Sequence, residues 1–299
     1  MTESEFLALL RTLPLHPGAL GLADDAARLA GDFVVTTDTL VEGVHFLLDD
    51  PPADVAWKLV AVNLSDLAAK GARPVAVLLN YPLSDGAWDR AFVAGLDEAL
   101  RAFDVPLLGG DTVSLPRGAA RVLTLTGFGE GPAPTRGGAR AGDALWVAGT
   151  IGDAGAGLRI ARGAPGPAEV LAAYRRPRPL LAEGRALGPV ATAMMDVSDG
   201  LLIDAARMAA ASGLAVRIEL AALPLSTDCL AFAGNTEAAH LDAATAGDDY
   251  QLLFALPAGQ EPPVAAFNLG TFEKGAGLSI SFRGRQLLLP ASLGWQHGG

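Results

Sequence analysis

The chain has 299 residues, about two domains' worth for globular proteins. Apolar residues make up 51% of it and charged residues 18%, a composition that argues against intrinsic disorder. Its 22 basic and 33 acidic residues give a net charge of −11, which argues against nucleic acid or an anionic membrane surface as a partner.

Charge interrupts every long apolar run, so no membrane span is predicted. The acidic start of the chain lacks the layout of a secretory signal, and we expect a cytoplasmic protein. The single cysteine, Cys229, excludes an internal disulfide and a cysteine-based zinc site, and we expect it to be an ordinary core residue.

Apolar spacing and turn residues predict strands and helices that alternate along the whole chain. In chain order the predicted elements are helix 2–13, strand 33–35, helix 53–70, strand 74–81, helix 85–103, strand 105–108, strand 121–128, strand 144–148, helix 153–162, helix 178–188, strand 191–195, helix 199–212, and strands 214–220, 252–256 and 278–282. The sequence GEGPAP at 129–134 is the best linker candidate. The pattern therefore predicts two α/β domains, residues 1–133 and 134–299.

Aspartates follow three of the predicted strands. Asp38, Asp111 and the pair Asp196 and Asp199 each come after an apolar run, and in open α/β sheets the carboxyl ends of strands form the ligand crevice. Asp66 lies inside a nearly apolar helix, where an unpaired charge would be costly.

A single aspartate is more often a turn or helix-cap residue, and we favour that interpretation for Asp24 and for Asp204. The group of strand-associated aspartates is harder to explain in this way. Clustered carboxylates repel one another unless cations separate them, and oxygen ligands suit Mg²⁺. The pattern predicts a site with several magnesium ions that binds a polyphosphate.

The commoner phosphate-binding motifs are absent. The sequence has no Walker-type G-x-x-x-x-G-K-[ST] motif and no protein-kinase H-R-D or D-F-G pair. With only Lys58, Lys70 and Lys274 in the chain, lysine is a poor candidate for the main phosphate clamp. Arg136, near the predicted domain junction, could be a clamp or a solvated loop charge. Of the four histidines, His45 follows closely on Asp38 and is the one expected to face a crevice.

Five motifs in order resemble those of the thiamine-monophosphate kinases. They are TTDTLVEGVHF at 36–46, AVNLSDLAAKG at 61–71, LGGDT at 108–112, DVSDGL at 196–201 and GDDY at 247–250. This resemblance implies a two-domain α/β (α+β) fold like that of aminoimidazole ribonucleotide synthetase, with an N-terminal ATP- and Mg²⁺-binding domain that forms a dimer sheet. It implies transfer of the γ-phosphoryl group of ATP to thiamine phosphate, the last step of thiamine diphosphate biosynthesis, and a homodimer with ATP near the dimer interface.

The resemblance also implies residue roles. The expected Mg²⁺ ligands are Asp25, Thr36, Thr37, Asp38, Asp66, Asp111, Asp196 and Asp199. Of these, Asp66, Asp196 and Asp199 are expected to be catalytic. Gly110, Asp111, Arg136 and Ser198 are expected at ATP, and His45, Asp248 and Trp295 at thiamine phosphate. The chain departs from the family pattern at Ala23, usually glycine, and at Asp248, usually glutamate.

Other functions stay open on the sequence alone. Related enzymes activate an amide or a selenide with ATP, but the cysteine-dependent ones carry a terminal cysteine, whereas Cys229 is internal. A non-catalytic metal- or nucleotide-binding protein could keep the same scaffold. An acidic structural protein would leave Asp66 in its apolar helix unexplained.

Overall fold

The computed structural model describes residues 2–116 and 118–296. The helices are α1 Glu3–Leu10, α2 Pro52–Ala69, α3 Gly86–Ala102, α4 Asp153–Ala161, α5 Ala168–Arg175, α6 Leu181–Leu187, α7 Leu201–Ala211, α8 Thr227–Ala233 and α9 Glu237–Ala246. The strands are β1 Ala27–Arg28, β2 Phe33–Val41, β3 Arg73–Leu83, β4 Leu107–Ser114, β5 Val122–Glu130, β6 Ala144–Ala148, β7 Ala193–Asp196, β8 Leu214–Glu219, β9 Leu252–Leu256, β10 Phe267–Lys274, β11 Gly277–Phe282 and β12 Arg285–Leu287. Short 3₁₀ helices span Pro17–Leu22 and Leu220–Ala222.

The strands form two mixed sheets, one in each half of the chain. The first has the order β1-β2-β5-β3-β4, and the second has the order β12-β11-β8-β10-β6-β9-β7. Neighbours are antiparallel except for the β3–β4 and β8–β11 pairs. Each half has its own apolar core between a sheet and its helices, which confirms the predicted fold class.

Helix α2 lies at the centre of the molecule. Two prolines, Pro51 and Pro52, begin it, and proline is favoured in the first turn because its missing N–H has no helical partner. The helix is apolar on most sides and buried along most of its length, as expected of a helix enclosed by other elements. It packs under β2 and β5 of the first sheet and against α6 and β7 of the second half.

Two of the predicted strand ends are wrong. β2 continues through Asp38 to Val41, and β4 continues through Asp111 to Ser114. In β2 the residues after Asp38 are β-forming and pair along β5, so the aspartate lies within the strand. Asp196, by contrast, is the last residue of β7, as predicted.

Several elements were not predicted, among them α5, α8, α9 and β10. Helix α9 reads EAAHLDAATA, and its many alanines mark no clear apolar face. Within residues 2–116 and 118–296, no helix is long and apolar enough to cross a membrane.

Candidate active site

Helix α2 carries polar side chains that connect the two sheets. Asn63 Oδ1 accepts a hydrogen bond from the backbone N–H of Asp38 at 3.1 Å. Ser65 Oγ donates to Asp196 Oδ2 at 2.5 Å. Both α2 side chains are fully buried. The helix therefore fixes β2 on one side and β7 on the other, and it brings their aspartates next to Asp66.

Asp38, Asp66 and Asp196 form a carboxylate cluster, in which Asp196 is buried and Asp38 and Asp66 are partly buried. Burial raises the pKa of Asp38 to about 6 and the pKa of Asp196 to about 7. Burial, followed by the charges of Asp38 and Asp196, raises the pKa of Asp66 well above its usual value, although the Thr36 hydroxyl donates a hydrogen bond to it. A nearby cation would stabilise such acids as anions.

The cluster opens into a cleft of about 760 Å³, within the size range of small-molecule sites. Eight of the residues expected to act in the site line it, and they are Asp38, His45, Asp66, Asp196, Ser198, Asp199, Asp248 and Trp295. The cleft thus joins residues that are up to about 250 positions apart in the chain. It lies where the first sheet, α2 and the second half of the chain meet.

His45 has a defined orientation in the cleft wall. Its Nδ1 atom accepts the backbone N–H of Val41 at 3.0 Å. A ring nitrogen that accepts cannot carry the proton of the neutral imidazole, so this hydrogen bond assigns the proton to Nε2.

Asp248 lies in a tight loop that follows α9. Gly247 has φ +77°, and a Cβ atom there would lie 2.8 Å from the Ser198 carbonyl oxygen, so the loop requires glycine. The Asp248 N–H donates to that same carbonyl at 2.7 Å, and the Tyr250 N–H donates to the Val197 carbonyl at 2.8 Å. These bonds hold the loop against the turn after β7.

The turn after β7 is organised by Asp204. This fully buried carboxylate accepts the backbone N–H groups of residues 198–200 at 3.1 to 3.3 Å. That is the turn-capping role expected for it. Asp199 itself pairs with Arg207, and its carbonyl accepts the N–H of Trp295 at 2.8 Å. The half-exposed Trp295 ring is thereby held at the rim of the cleft.

Asp24 and Asp25 form a second group of acids, neutralised by basic side chains. The Lys70 ammonium pairs with both carboxylates, at 2.9 Å to Asp25 Oδ2, and Arg136 also pairs with Asp25. Asp24 is therefore more than a turn residue. Arg136 keeps one buried nitrogen, Nε, that has no hydrogen-bond partner in the described part of the chain. Most buried donors have a hydrogen-bond partner, so this nitrogen is an exception.

Three residues expected in the site, the Mg²⁺ ligands Thr37 and Asp111 and the ATP-binding Gly110, lie in the first sheet away from the cleft. The exposed Thr37 hydroxyl donates to the Leu125 carbonyl at 3.1 Å. The strand register forms a cross-strand row on the same face, made of Thr39, Thr124, Asn80 and Asp111. Gly110 has φ +153°, and a Cβ atom there would lie 1.8 Å from the Leu79 carbonyl oxygen. Strand packing alone therefore requires this glycine. The roles of Thr37, Gly110 and Asp111 stay predictions.

Sequence reasoning missed three basic residues. Lys58 and Lys70 are each only 2% exposed, and both pair with carboxylates at or beside the site. The signal was present, because both lysines interrupt apolar stretches just as Asp66 does. Arg162 is exposed and lines the cleft from the end of α4. Nothing in the local sequence distinguishes it from a surface charge.

Cys229 is a buried core residue, as expected. Burial, followed by the charges of Asp153 and Asp249, raises the pKa of its thiol to about 11. The thiolate that sulfur-based chemistry requires is therefore disfavoured at neutral pH.

The fold and the site define a class of proteins. The model of the AIR synthase related N-terminal domain matches residues 23–131, and the model of the corresponding C-terminal domain matches residues 140–266. Together they define an AIR synthase related protein, with two domains in the expected order. The division between residues 133 and 134 stays a prediction.

Similar proteins identify the family within this class. The chain is 39% identical to a thiamine-monophosphate kinase of Caulobacter vibrioides, over 99% of this chain and 91% of that protein. It is 41% identical to the Escherichia coli K12 thiamine-monophosphate kinase, over 80% of this chain and 76% of that protein. The solved complex of AaThiL with AMPPCP and TMP matches with a TM-score of 0.87 and 29% identity, over 99% of this chain and 97% of that one. The chain belongs to the thiamine-monophosphate kinase family.

Proposed function

We propose that this chain transfers the γ-phosphoryl group of ATP to thiamine phosphate, which yields thiamine diphosphate and ADP. One observation carries the proposal: a single cleft joins the carboxylate cluster to His45, Asp248 and Trp295. The AaThiL complex supports it, because AMPPCP is a non-hydrolysable analogue of ATP and TMP in this family is thiamine monophosphate.

The donor set of the cleft fits Mg²⁺. The cluster offers hard oxygen ligands, and burial together with nearby acids raises its pKa values, an effect that a bound cation would offset. Among the described residues, no three His, Cys, Asp or Glu side chains form a group that could hold an ion by themselves. Mg²⁺ in kinases is usually held by one or two carboxylates together with substrate phosphates and water. Asp38, Asp66 and Asp196 would hold ions that the phosphates of ATP also coordinate.

The main obstacle to the reaction is repulsion between two polyanions. Bound Mg²⁺ would screen these charges and stabilise the charge on the transferring phosphoryl group. The acceptor is a phosphate dianion, itself a competent nucleophile, so no strong general base is required. We therefore expect direct in-line transfer without a phosphoenzyme.

The other residues of the cleft would position the two substrates. His45 would contact thiamine phosphate from the cleft wall, and the Asp248 carboxylate complements the cationic thiazolium ring. Trp295 offers an aromatic face at the rim for stacking. On the nucleotide side, Arg136 and the cleft residue Ser198 would contact ATP, as the family resemblance implies.

We also propose a homodimer formed through the first sheet. Its edge strand β4 is exposed along its whole length, and an unpaired edge with apolar residues such as Leu108 and Val113 is a template for association. The face of this sheet that carries Thr37 and Asp111 would then meet a second copy.

Phosphoryl transfer by the purified protein tests the proposed function. Mg²⁺, ATP and thiamine phosphate should together give thiamine diphosphate by chromatography, and omission of any one of them should abolish the product. Free thiamine should not be an acceptor, because it lacks the nucleophilic phosphate. Thermal stabilisation by ATP without any product would instead indicate a nucleotide-binding relative with another substrate.

A further inference from the structure

The ammonium group of Lys58 contacts three groups: a carboxylate, a backbone carbonyl and an aromatic ring. Its Nζ atom donates to Asp248 Oδ2 at 2.6 Å and to the His45 carbonyl oxygen at 3.1 Å. The ring of Tyr174 lies 4.4 Å from Nζ, and the lysine side chain is 2% exposed. Burying a cation is costly unless nearby groups replace its water, and these three groups do so.

The contacts of Lys58 reach two separate segments of the site. His45 belongs to the loop after β2 in the first half, whereas Asp248 belongs to the loop after α9 in the second half. Lys58 itself is on the buried helix α2. One side chain thus bonds to the segments that carry two of the three residues proposed to bind thiamine phosphate.

The Asp248 carboxylate is held on both of its oxygens. Oδ2 accepts from Lys58, and Oδ1 accepts from the Tyr250 hydroxyl at 3.0 Å. Each carboxylate oxygen has two lone pairs, so each keeps one that can face a ligand. The direction of these remaining acceptors is fixed by the two donors.

We propose that Lys58 is a positioning residue for the thiamine phosphate side of the cleft, which sets the Asp248 carboxylate and the His45 loop at the spacing that the acceptor requires. This inference rests on the proposed function. Lys58 acts through these two residues and is not assigned a contact with the reacting phosphates. The inference extends the proposed function, because it gives a residue of helix α2 a part in the recognition of thiamine phosphate.

The test compares steady-state constants for both substrates. In Lys58→Met, the KM for thiamine phosphate should rise about tenfold or more, as for other residues that orient a ligand-binding group, while the KM for ATP stays within about twofold. Lys58→Arg, which keeps the cation, should lie closer to the wild type than Lys58→Met does. If Lys58→Met does not fold, the same two KM values are compared in Lys58→Gln.

A double-mutant cycle with Asp248→Asn tests whether Lys58 acts through that carboxylate. Loss of Lys58 should raise the KM for thiamine phosphate less in the Asp248→Asn background than in the wild type. Arg176→Gln is the matched control, because Arg176 also pairs with α2 across the two halves, at Asp54, without contacting His45 or Asp248. Both of its KM values should match those of the wild type.

An unchanged KM for thiamine phosphate in folded Lys58→Met would overturn the inference, and so would equal increases in both KM values or independent effects in the cycle. If the wild type forms no thiamine diphosphate, the proposed function fails. If the wild type is active and only the lysine comparison fails, the positioning role alone is wrong.

Discussion

In the proposed mechanism, the chemistry depends on the carboxylates of Asp38, Asp66 and Asp196. Asp196→Asn keeps the shape of the side chain and an oxygen that can accept from Ser65 Oγ, so the fold should be retained. The variant loses a negative charge next to Asp66, and we expect kcat to fall on the order of a hundredfold or more.

The measurement for this prediction is kcat at saturating ATP and thiamine phosphate. Asp143→Asn serves as the matched control, since Asp143 is also buried but bonds to Arg140 and Thr192 away from the cleft. Near-normal turnover in Asp196→Asn would contradict the role of this carboxylate.

The raised pKa of Asp196 also predicts how the stability of the metal-free protein varies with pH. Burial raises the pKa of Asp196 from 3.8 to about 7, so between these values the folded state binds more protons than the unfolded state. Stability contributed by this group is fully present below pH 3.8 and is lost as pH rises through about 7. In the presence of a chelator, the Tm of the wild type should fall relative to Asp196→Asn as pH rises from about 5 to about 8. A Tm difference that does not vary with pH would argue against the shifted pKa.

At the level of single residues, the sequence allows a functional residue to be predicted when its charge interrupts an apolar stretch. Asp66 could be singled out because a charge in an apolar helix needs a partner. Lys58 has the same signature, yet its partner Asp248 is 190 residues away and no local pattern connects them. The side of the sheet on which Thr37 lies depends on register, which the pairing with β5 determines.

Among the elements, the loop after α9 depends most on a single backbone position. In Gly247→Ala the new Cβ atom would lie 2.8 Å from the Ser198 carbonyl oxygen at an unfavourable φ of +77°. We expect a loss of more than about 1 kcal/mol in the free energy of unfolding, measured in urea, and a higher KM for thiamine phosphate because Asp248 moves.

Gly259→Ala separates the backbone effect from the displacement of the loop. Gly259 has a similar φ of +80°, but nothing lies within 4 Å of its added Cβ. This control should lose some stability through its backbone strain without any change in KM. Equal KM values in the two variants would show that the α9 loop does not position the acceptor.

The elements also show why the predicted crevice was only partly correct. Alternation of strands and helices correctly indicated two sheets with helices packed on them. The rule that ligands collect at strand ends assumes parallel sheets, but most neighbours here are antiparallel and β2 passes through Asp38. The acids converge because α2 bonds to both sheets, a long-range arrangement that no local periodicity encodes.

At the scale of the whole molecule, the proposed dimer predicts the mass at which the protein sediments. The wild type should sediment at twice the 30.5 kDa mass of the chain at micromolar concentration. Val113→Lys places a charge on the exposed face of β4 and should give a monomer, because burying an unpaired ammonium is costly. A monomeric wild type would contradict the dimer and leave the cleft unaffected.

The most direct test of the proposed reaction is a single-turnover measurement with ATP labelled in its γ-phosphoryl group, excess enzyme, Mg²⁺ and thiamine phosphate. The label should pass to thiamine diphosphate in one phase, with none retained on the protein at any time. Label that appears only as free phosphate, or that first accumulates on the protein, would contradict direct transfer between the two substrates.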